Sequence, residues 1–338
     1  MTNPGVVYVS CADSAEIHVL HLDADRAKLT PLQIVESGGT VMPMAISPDR
    51  HFLYAALRSE PYAVLAFAIS PDDGRLAPIG SAPLPASMAY LSTDTSGRWL
   101  FAASYPSAMV SLGPIDADGV PQPAVRVLPT GPKAHAVRTS ADNHHVYAAV
   151  LGADQVLVWC FDAATGALTP ADPPAVAVRS GAGPRHPAFH PRLDVLFVLN
   201  ELDASLDRFD VDRTSGAPVH RQSISALPPG FSGEPWAAEL RLTPDGRFLY
   251  ASERRSSVVA GFAVDTHDGQ LAPIGHWATQ AQPRGMAVDA SGGFLVVAGQ
   301  LSHRVSLHRI DPASGVLDVV AEHAVGLNPT WVEAIALR

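Results

Sequence analysis

Ser180-Gly181-Ala182-Gly183-Pro184-Arg185-His186-Pro187-Ala188-Phe189-His190-Pro191, running on to Leu199-Asn200-Glu201, reads as a β-hairpin. Two glycines and a proline make a sharp start, and Arg185 opens the first strand. Pro191 to Asp194 supply a turn, and the apolar run Val195 to Leu199 returns and ends at Asn200-Glu201. A hairpin sets the start of its first strand beside the end of its second. Arg185 and Glu201 are therefore expected at one sheet edge, although far apart in sequence.

The same unit recurs along the chain. Ser47-Pro48-Asp49 precedes Leu53-Tyr54, Ser96-Gly97 precedes Leu100-Phe101, and Ala141-Asp142 precedes Val146-Tyr147. Pro191-Arg192, Pro244-Asp245 and Ser291-Gly292 precede Leu196-Phe197, Leu249-Tyr250 and Leu295-Val296, and an isolated Val7-Tyr8 adds a seventh copy. Marker residues Val7, Leu53, Leu100, Val146, Leu196, Leu249 and Leu295 are spaced by 46, 47, 46, 50, 53 and 46 residues. A period of 40 to 50 residues in a chain of short apolar strands, without a long helical period, reads as an all-β propeller with four strands per blade. Seven near-equal repeats argue against an open sandwich of the same strands. Asn328 to Ala334 looks like an inner strand without a following partner, and Val6 to Tyr8 like a second strand without its inner one. Joining them closes a seventh blade from both termini and removes an open edge. The chain, 1–338, is read as a single seven-bladed β-propeller domain.

Composition limits the partners. Of 338 residues, 47% are hydrophobic and only 17% charged, and the formal charge is -10. That charge argues against nucleic acid or an anionic membrane as partner. Cys11 and Cys160 form no metal or redox spacing, which favours a reducing compartment. Met1-Thr2-Asn3-Pro4-Gly5 shows no basic leader, and no long apolar run follows. The expectation is a cytoplasmic protein, a monomer or weak dimer, without cofactor or metal.

Counting seven residues back from each turn gives Met42, Ala89, His135, Arg185, Ala238 and Arg284. Counting nine forward gives Arg58, Tyr105, Leu151, Glu201, Arg254 and Gln300. Both sets fall at one mouth of the channel. An acidic chain thus gathers Arg58, Arg185, Arg254, Arg284 and His135 around one opening with Glu201, and Glu253 tempers the positive sum. For any one arginine, an ion pair between blades is an equal reading. Three strong polar residues at one equivalent position favour a site for a small anion, because arginine grips carboxylate or phosphate as a fork. His303, after Gln300, is a further candidate. His186 and His190 are expected on the strand face opposite Arg185, bonded between blades. His144-His145 is expected in a solvent-facing turn, and Gly181 and Gly183 are read as turn glycines rather than a phosphate cradle.

Gly181-Ala182-Gly183-Pro184-Arg185-His186 with Asn200-Glu201-Leu202 resembles the bacterial propeller-type 6-phosphogluconolactonase family. So do Trp236-Ala237-Ala238-Glu239, Gln282-Pro283-Arg284-Gly285 and Ala298-Gly299-Gln300 with Ser302-His303. Glu239 and Glu253 stand where the family pattern has Asp. The resemblance implies hydrolysis of 6-phospho-D-glucono-1,5-lactone in the oxidative pentose phosphate pathway. The wider family resembles fungal carboxymuconate cycloisomerases, and its His, Glu and Arg positions map to His135, Glu201, Arg185 and Arg284. Another sugar-acid lactonase or a cycloisomerase on the same scaffold is the alternative, and a non-enzymatic interaction propeller a more distant one. On the lactonase reading, either His135 or Glu201 activates water, with His135 favoured at neutral pH. Arg185 faces the oxyanion, Arg254 and Arg284 hold phosphate, and Arg58, Gln300 and His303 make further substrate contacts.

Overall fold

In a computed structural model, which describes residues 5–337, seven four-stranded antiparallel sheets stand around a central channel. Met1 to Pro4, where the absence of a leader was read, lie outside the described residues. Blade 1 is built from Val41–Ile46, Phe52–Leu57, Ala63–Ile69 and Leu76–Pro83. Blades 2 to 6 follow with inner strands Tyr90–Thr93, Ala134–Thr139, Pro184–Phe189, Ala237–Leu242 and Pro283–Val288. Blade 7 takes its inner strand from Pro329–Ala336, hydrogen-bonded to Gly5–Cys11, with Glu16–Asp23 and Lys28–Glu36 outside. Tyr8 lies opposite Glu333 and Val7 opposite Ala334, so both termini close one blade, as expected. Each inner strand touches the next around the ring.

The repeated signatures have local causes. The second strand of each blade is covered on both faces, so it reads as an unbroken apolar run; Val195–Asn200 is buried throughout. In the preceding turn an aspartate carboxylate accepts the backbone N–H two residues on, 3.0 Å for Asp49 to His51 and 3.1 Å for Asp245 to Arg247. Gly246 in that turn has φ +77°, and a Cβ there would lie 2.4 Å from His190 Nε2. His190 Nε2 donates to the Gly246 carbonyl at 3.2 Å, tying blade 4 to blade 5 as the sequence suggested. Tyr8, Tyr147 and Tyr250 tie blades likewise, donating their hydroxyls to Gly74, Gly216 and Gly315 carbonyls in the next blade. His145, expected in solvent, is instead buried at the first position of His145–Val150, and only His144 is exposed.

The inner strands share one irregularity. Ladder register skips at Met42-Pro43, at His135, at Arg185, at Ala238-Glu239, at Arg284-Gly285 and at Thr330. Six of the seven inner strands therefore bulge at the channel mouth, five of them at positions that the sequence count singled out, while Ala89 stands before a regular ladder.

Deeper in the channel, Trp331 donates to Glu333 at 2.8 Å, Arg241 pairs with Glu333 at 3.3 Å, and Tyr90 and Trp331 stack edge-on. Several buried histidines are held neutral. Burial pushes His308 down to about 4, and burial with nearby arginines lowers His135 and His186 well below the ordinary range. Between pH 6.5 and the depressed values the unfolded chain binds these protons and the folded one does not, so stability is lost as pH falls. His308 alone should remove about 3 kcal/mol by pH 4. A thermal midpoint that is level above pH 7 and drops steadily from pH 6.5 to pH 4 is the expected result. A midpoint independent of pH across that window would contradict it.

Candidate active site

The bulges aim side chains that a regular strand would have paired. Arg185 leaves its ladder and reaches Glu201, Nε to Oε2, at 2.7 Å, the contact expected from the hairpin alone. Its Nη1 donates to the Ala238 carbonyl and, at 2.9 Å, to His186 Nε2. Since Nε2 accepts there, His186 carries its proton on Nδ1, which donates to Glu239 Oε1 at 2.7 Å. His186 was expected on the face opposite Arg185. The bulge breaks that alternation and brings it under the site, with its ring 5.1 Å from that of His135.

Glu201 is saturated. Oε2 accepts from Arg185 and, at 3.0 Å, from Arg254 Nη2, while Oε1 accepts Trp236 Nε1 at 3.2 Å. Burial alone would raise its pKa, but Arg185 and Arg254 outweigh it, and the carboxyl is held below its ordinary value. His135 is the opposite case. It is buried, its Nδ1 has no partner among the described residues, and its ring meets Tyr105 edge-on. Burial, then the Arg185 charge, keeps it neutral.

A cavity of about 220 Å³ collects Arg58, Tyr105, His135, Glu201, Arg254 and Arg284 on its wall. Arg254 is anchored there. Nε donates to the Trp236 carbonyl at 3.0 Å and Nη2 to the Ala237 carbonyl at 2.9 Å, and its guanidinium lies 3.7 Å over the Trp236 ring. Arg284 has no hydrogen bond or ion pair from its side chain among the described residues. Arg58 donates to Ser87 Oγ at 3.1 Å and to Met42 Sδ at 3.2 Å, and meets no carboxylate. Burial disfavours both cations, and Arg185 and Arg58 add repulsion at Arg284.

Four expectations change. Arg185 is 2% exposed and lies behind Glu201, so it meets no bound molecule and acts through the groups that it holds. Gln300 and His303 are outside the cavity. Gln300 donates to Asn328 Oδ1 at 2.9 Å, and His303 Nδ1 accepts the Asn328 N–H at 3.1 Å, because a tight turn with His303 at φ +53° points both at that loop. Glu253 does not temper the mouth, because its carboxylate is spent on the Trp236 and Ser256 N–H groups, each at 2.6 Å. Gly181 and Gly183 are turn glycines as read, their N–H groups donating to Asp154 at 2.7 and 2.9 Å. Trp236 was quoted as sequence but given no role; the clue was an aromatic one residue before an inner strand. Among the described residues no three His, Cys, Asp or Glu side chains are grouped to hold a metal ion.

Residues 6–334 match a family model described as a lactonase, 7-bladed beta-propeller. The chain is 40% identical to a 6-phosphogluconolactonase of Erwinia tasmaniensis over 328 residues, 97% of each chain. It is equally identical to one of Pectobacterium atrosepticum over 332 residues, 98% of this chain and 99% of that one. Among solved structures, the periplasmic gluconolactonase of Pseudomonas aeruginosa superposes with a TM-score of 0.91 at 27% identity, covering 99% of this chain and all of that one.

Proposed function

The chain belongs to the seven-bladed β-propeller lactonase family, and on that premise we propose that it hydrolyses 6-phospho-D-glucono-1,5-lactone to 6-phospho-D-gluconate. The observation that carries the reading is the cavity itself, where a neutral His135 lines space shared with Arg58, Arg254 and Arg284. The relatives named 6-phosphogluconolactonase, 40% identical over nearly the whole chain, support the same substrate. The residues 1–338 are read as one lactonase domain. The pathway is the oxidative pentose phosphate pathway and the compartment the cytoplasm. No helix among the described residues is long and apolar enough to cross a membrane, and both cysteines are free.

The reaction needs a base, a place for the oxyanion and a proton for the leaving oxygen. His135 takes a proton from water as the water oxygen bonds to C1. The carbonyl electrons move onto its oxygen, which faces Arg254 and Arg284. Collapse of that intermediate breaks the bond from C1 to the ring oxygen, and the imidazolium returns its proton to that departing oxygen, which leaves as the C5 hydroxyl. Glu201 remains ionised throughout. It holds Arg254 in place and offsets the charge of Arg185, so its role is to position rather than to accept a proton.

Glucono-1,5-lactone without phosphate is the second reading, favoured by the superposition on a gluconolactonase. Initial rates on phosphorylated and plain gluconolactone and on carboxymuconate, corrected for spontaneous hydrolysis, decide between them. A kcat/KM at least tenfold higher for the phosphorylated lactone is expected. Preference for the plain lactone would transfer the assignment to it, and turnover of carboxymuconate alone would make the protein a cycloisomerase.

A further inference from the structure

A second cavity, about 290 Å³, adjoins the first and shares Arg58 and Arg284 with it. Its remaining wall mixes polar side chains with Ala12 and Met42 and comes from blades 1, 2 and 7. Thr40 and Ser87 stand on one side, Asn328 and Thr330 on the other. Neither cavity alone reaches the roughly 300 Å³ at the small end of ligand pockets, and joined they do.

The charge balance differs between the two. On the first cavity's far wall, Glu201 answers Arg185 and Arg254. Between the cavities Arg58 and Arg284 stand near each other with no carboxylate on either guanidinium among the described residues. Arg58 is already oriented by Ser87 Oγ and Met42 Sδ. Arg284 is brought against blade 7 by Gly285, where a Cβ would lie 2.7 Å from the Thr330 carbonyl oxygen. A guanidinium stays charged at neutral pH, and of these two partly buried like charges only Arg284 feels carboxylates, Glu201 and Glu239, neither of them in contact with it. Asp13, on the outer rim, is exposed and already accepts Asn328 Nδ2 at 3.0 Å.

We propose that this side cavity, walled by Arg58, Arg284, Thr40 and Ser87, is the subsite for the substrate's phosphate ester. The inference rests on the lactonase reading and moves the phosphate away from Arg254. That arginine has spent Nε and Nη2 on backbone carbonyls and Glu201. The chemistry of the substrate agrees. In the 1,5-lactone the ring oxygen joins C1 to C5, and C6 with its phosphate hangs from C5. The phosphate therefore leaves the ring beside the bond that breaks, and its site must adjoin the reacting cavity. Arg284 lines both, so one side chain touches each end of the molecule.

Thr40 is the discriminating probe because Arg58 and Arg284 line both cavities and Thr40 only the second. Arg58→Ala should raise KM for the phosphorylated lactone by about tenfold to a hundredfold, the scale of one charge-assisted contact. The loss on plain gluconolactone should be much smaller. Thr40→Glu, which carries an anion into the subsite without touching the reacting cavity, should raise that KM on the same scale and leave kcat, and both constants for plain gluconolactone, within about twofold. Calorimetry with 6-phosphogluconate, gluconate and inorganic phosphate gives an assay without turnover. Wild type should bind the first far more tightly than the second, and Arg58→Ala should lose that difference. If wild type prefers the phosphorylated lactone and both variants keep that preference, the subsite is overturned and the function stands. If wild type has no such preference yet binds inorganic phosphate through Arg58, the function fails and the anion subsite stands. Loss of both effects overturns both.

Discussion

Replacing His135 by alanine is expected to lower turnover of 6-phosphogluconolactone by about a hundredfold or more, the usual scale for a positioned base. The ring is a neutral base on the cavity wall, and its Nδ1 has no hydrogen-bonded partner among the described residues. Burial and the Arg185 charge push its pKa down, so the free base predominates through neutral pH. The rate should be level from pH 7 upward and should fall only on the acid side, below the ordinary histidine range. In His135→Ala that acid limb should vanish along with the rate. Glu201→Gln should also lose about a hundredfold, but by another route. The amide cannot answer the charges of Arg185 and Arg254, and the acid limb should persist because His135 is still present. The fold should survive His135→Ala, since His135 sits in a bulge outside the ladder, whereas Glu201→Gln leaves buried Arg185 and Arg254 without their carboxylate and should also lower the melting temperature. Near-normal rates in His135→Ala, measured above spontaneous hydrolysis with unchanged circular dichroism, would remove it from the mechanism.

Deleting residues 329–338 is expected to convert the protein to an aggregating, low-melting form. The deletion takes away the whole inner strand Pro329–Ala336, whose partner Gly5–Cys11 would then face the channel with an unpaired edge. It also removes Trp331, Val332, Ile335 and Leu337 from two hydrophobic cores, and one of the two carboxylates beside Arg241, which keeps Glu239 at 3.7 Å. Loss of one such buried side chain costs about 2–5 kcal/mol, so four together match the stability of an ordinary domain. Size exclusion and thermal unfolding test this. A truncated chain that stays monomeric and melts with the parent would mean that the closing strand is dispensable.

The fold was legible because three signals agreed. Asp and Gly turns, unbroken apolar second strands and a near-constant period each have a direct structural cause, and Val6 to Tyr8 with Asn328 to Ala334 exposed the closure. The site was legible by position. Counting from the turns found His135, Arg185, Glu201, Arg254, Arg284 and Arg58, because equivalent positions of a repeat are equivalent places in space. Orientation was not legible. Nothing in the local sequence says that Arg185 turns inward to Glu201 while His135 faces the cavity, since both depend on a register skip of one or two residues. Gln300 and His303 were near enough to be counted and were claimed by Asn328 instead. Trp236 and the side cavity arise from three-dimensional neighbours in other blades, which a single blade's sequence cannot name.

The inner-strand bulges have an evolutionary consequence. A residue outside the ladder makes no ladder hydrogen bond, so its identity can change with the strand pairing intact. Met42, His135, Arg185, Ala238, Arg284 and Thr330 occupy one such place in six blades and range from apolar to cationic. New specificities can therefore arise by exchanging letters around a fixed ring, one blade at a time, with ancestry preserved in the walls and novelty confined to the rim.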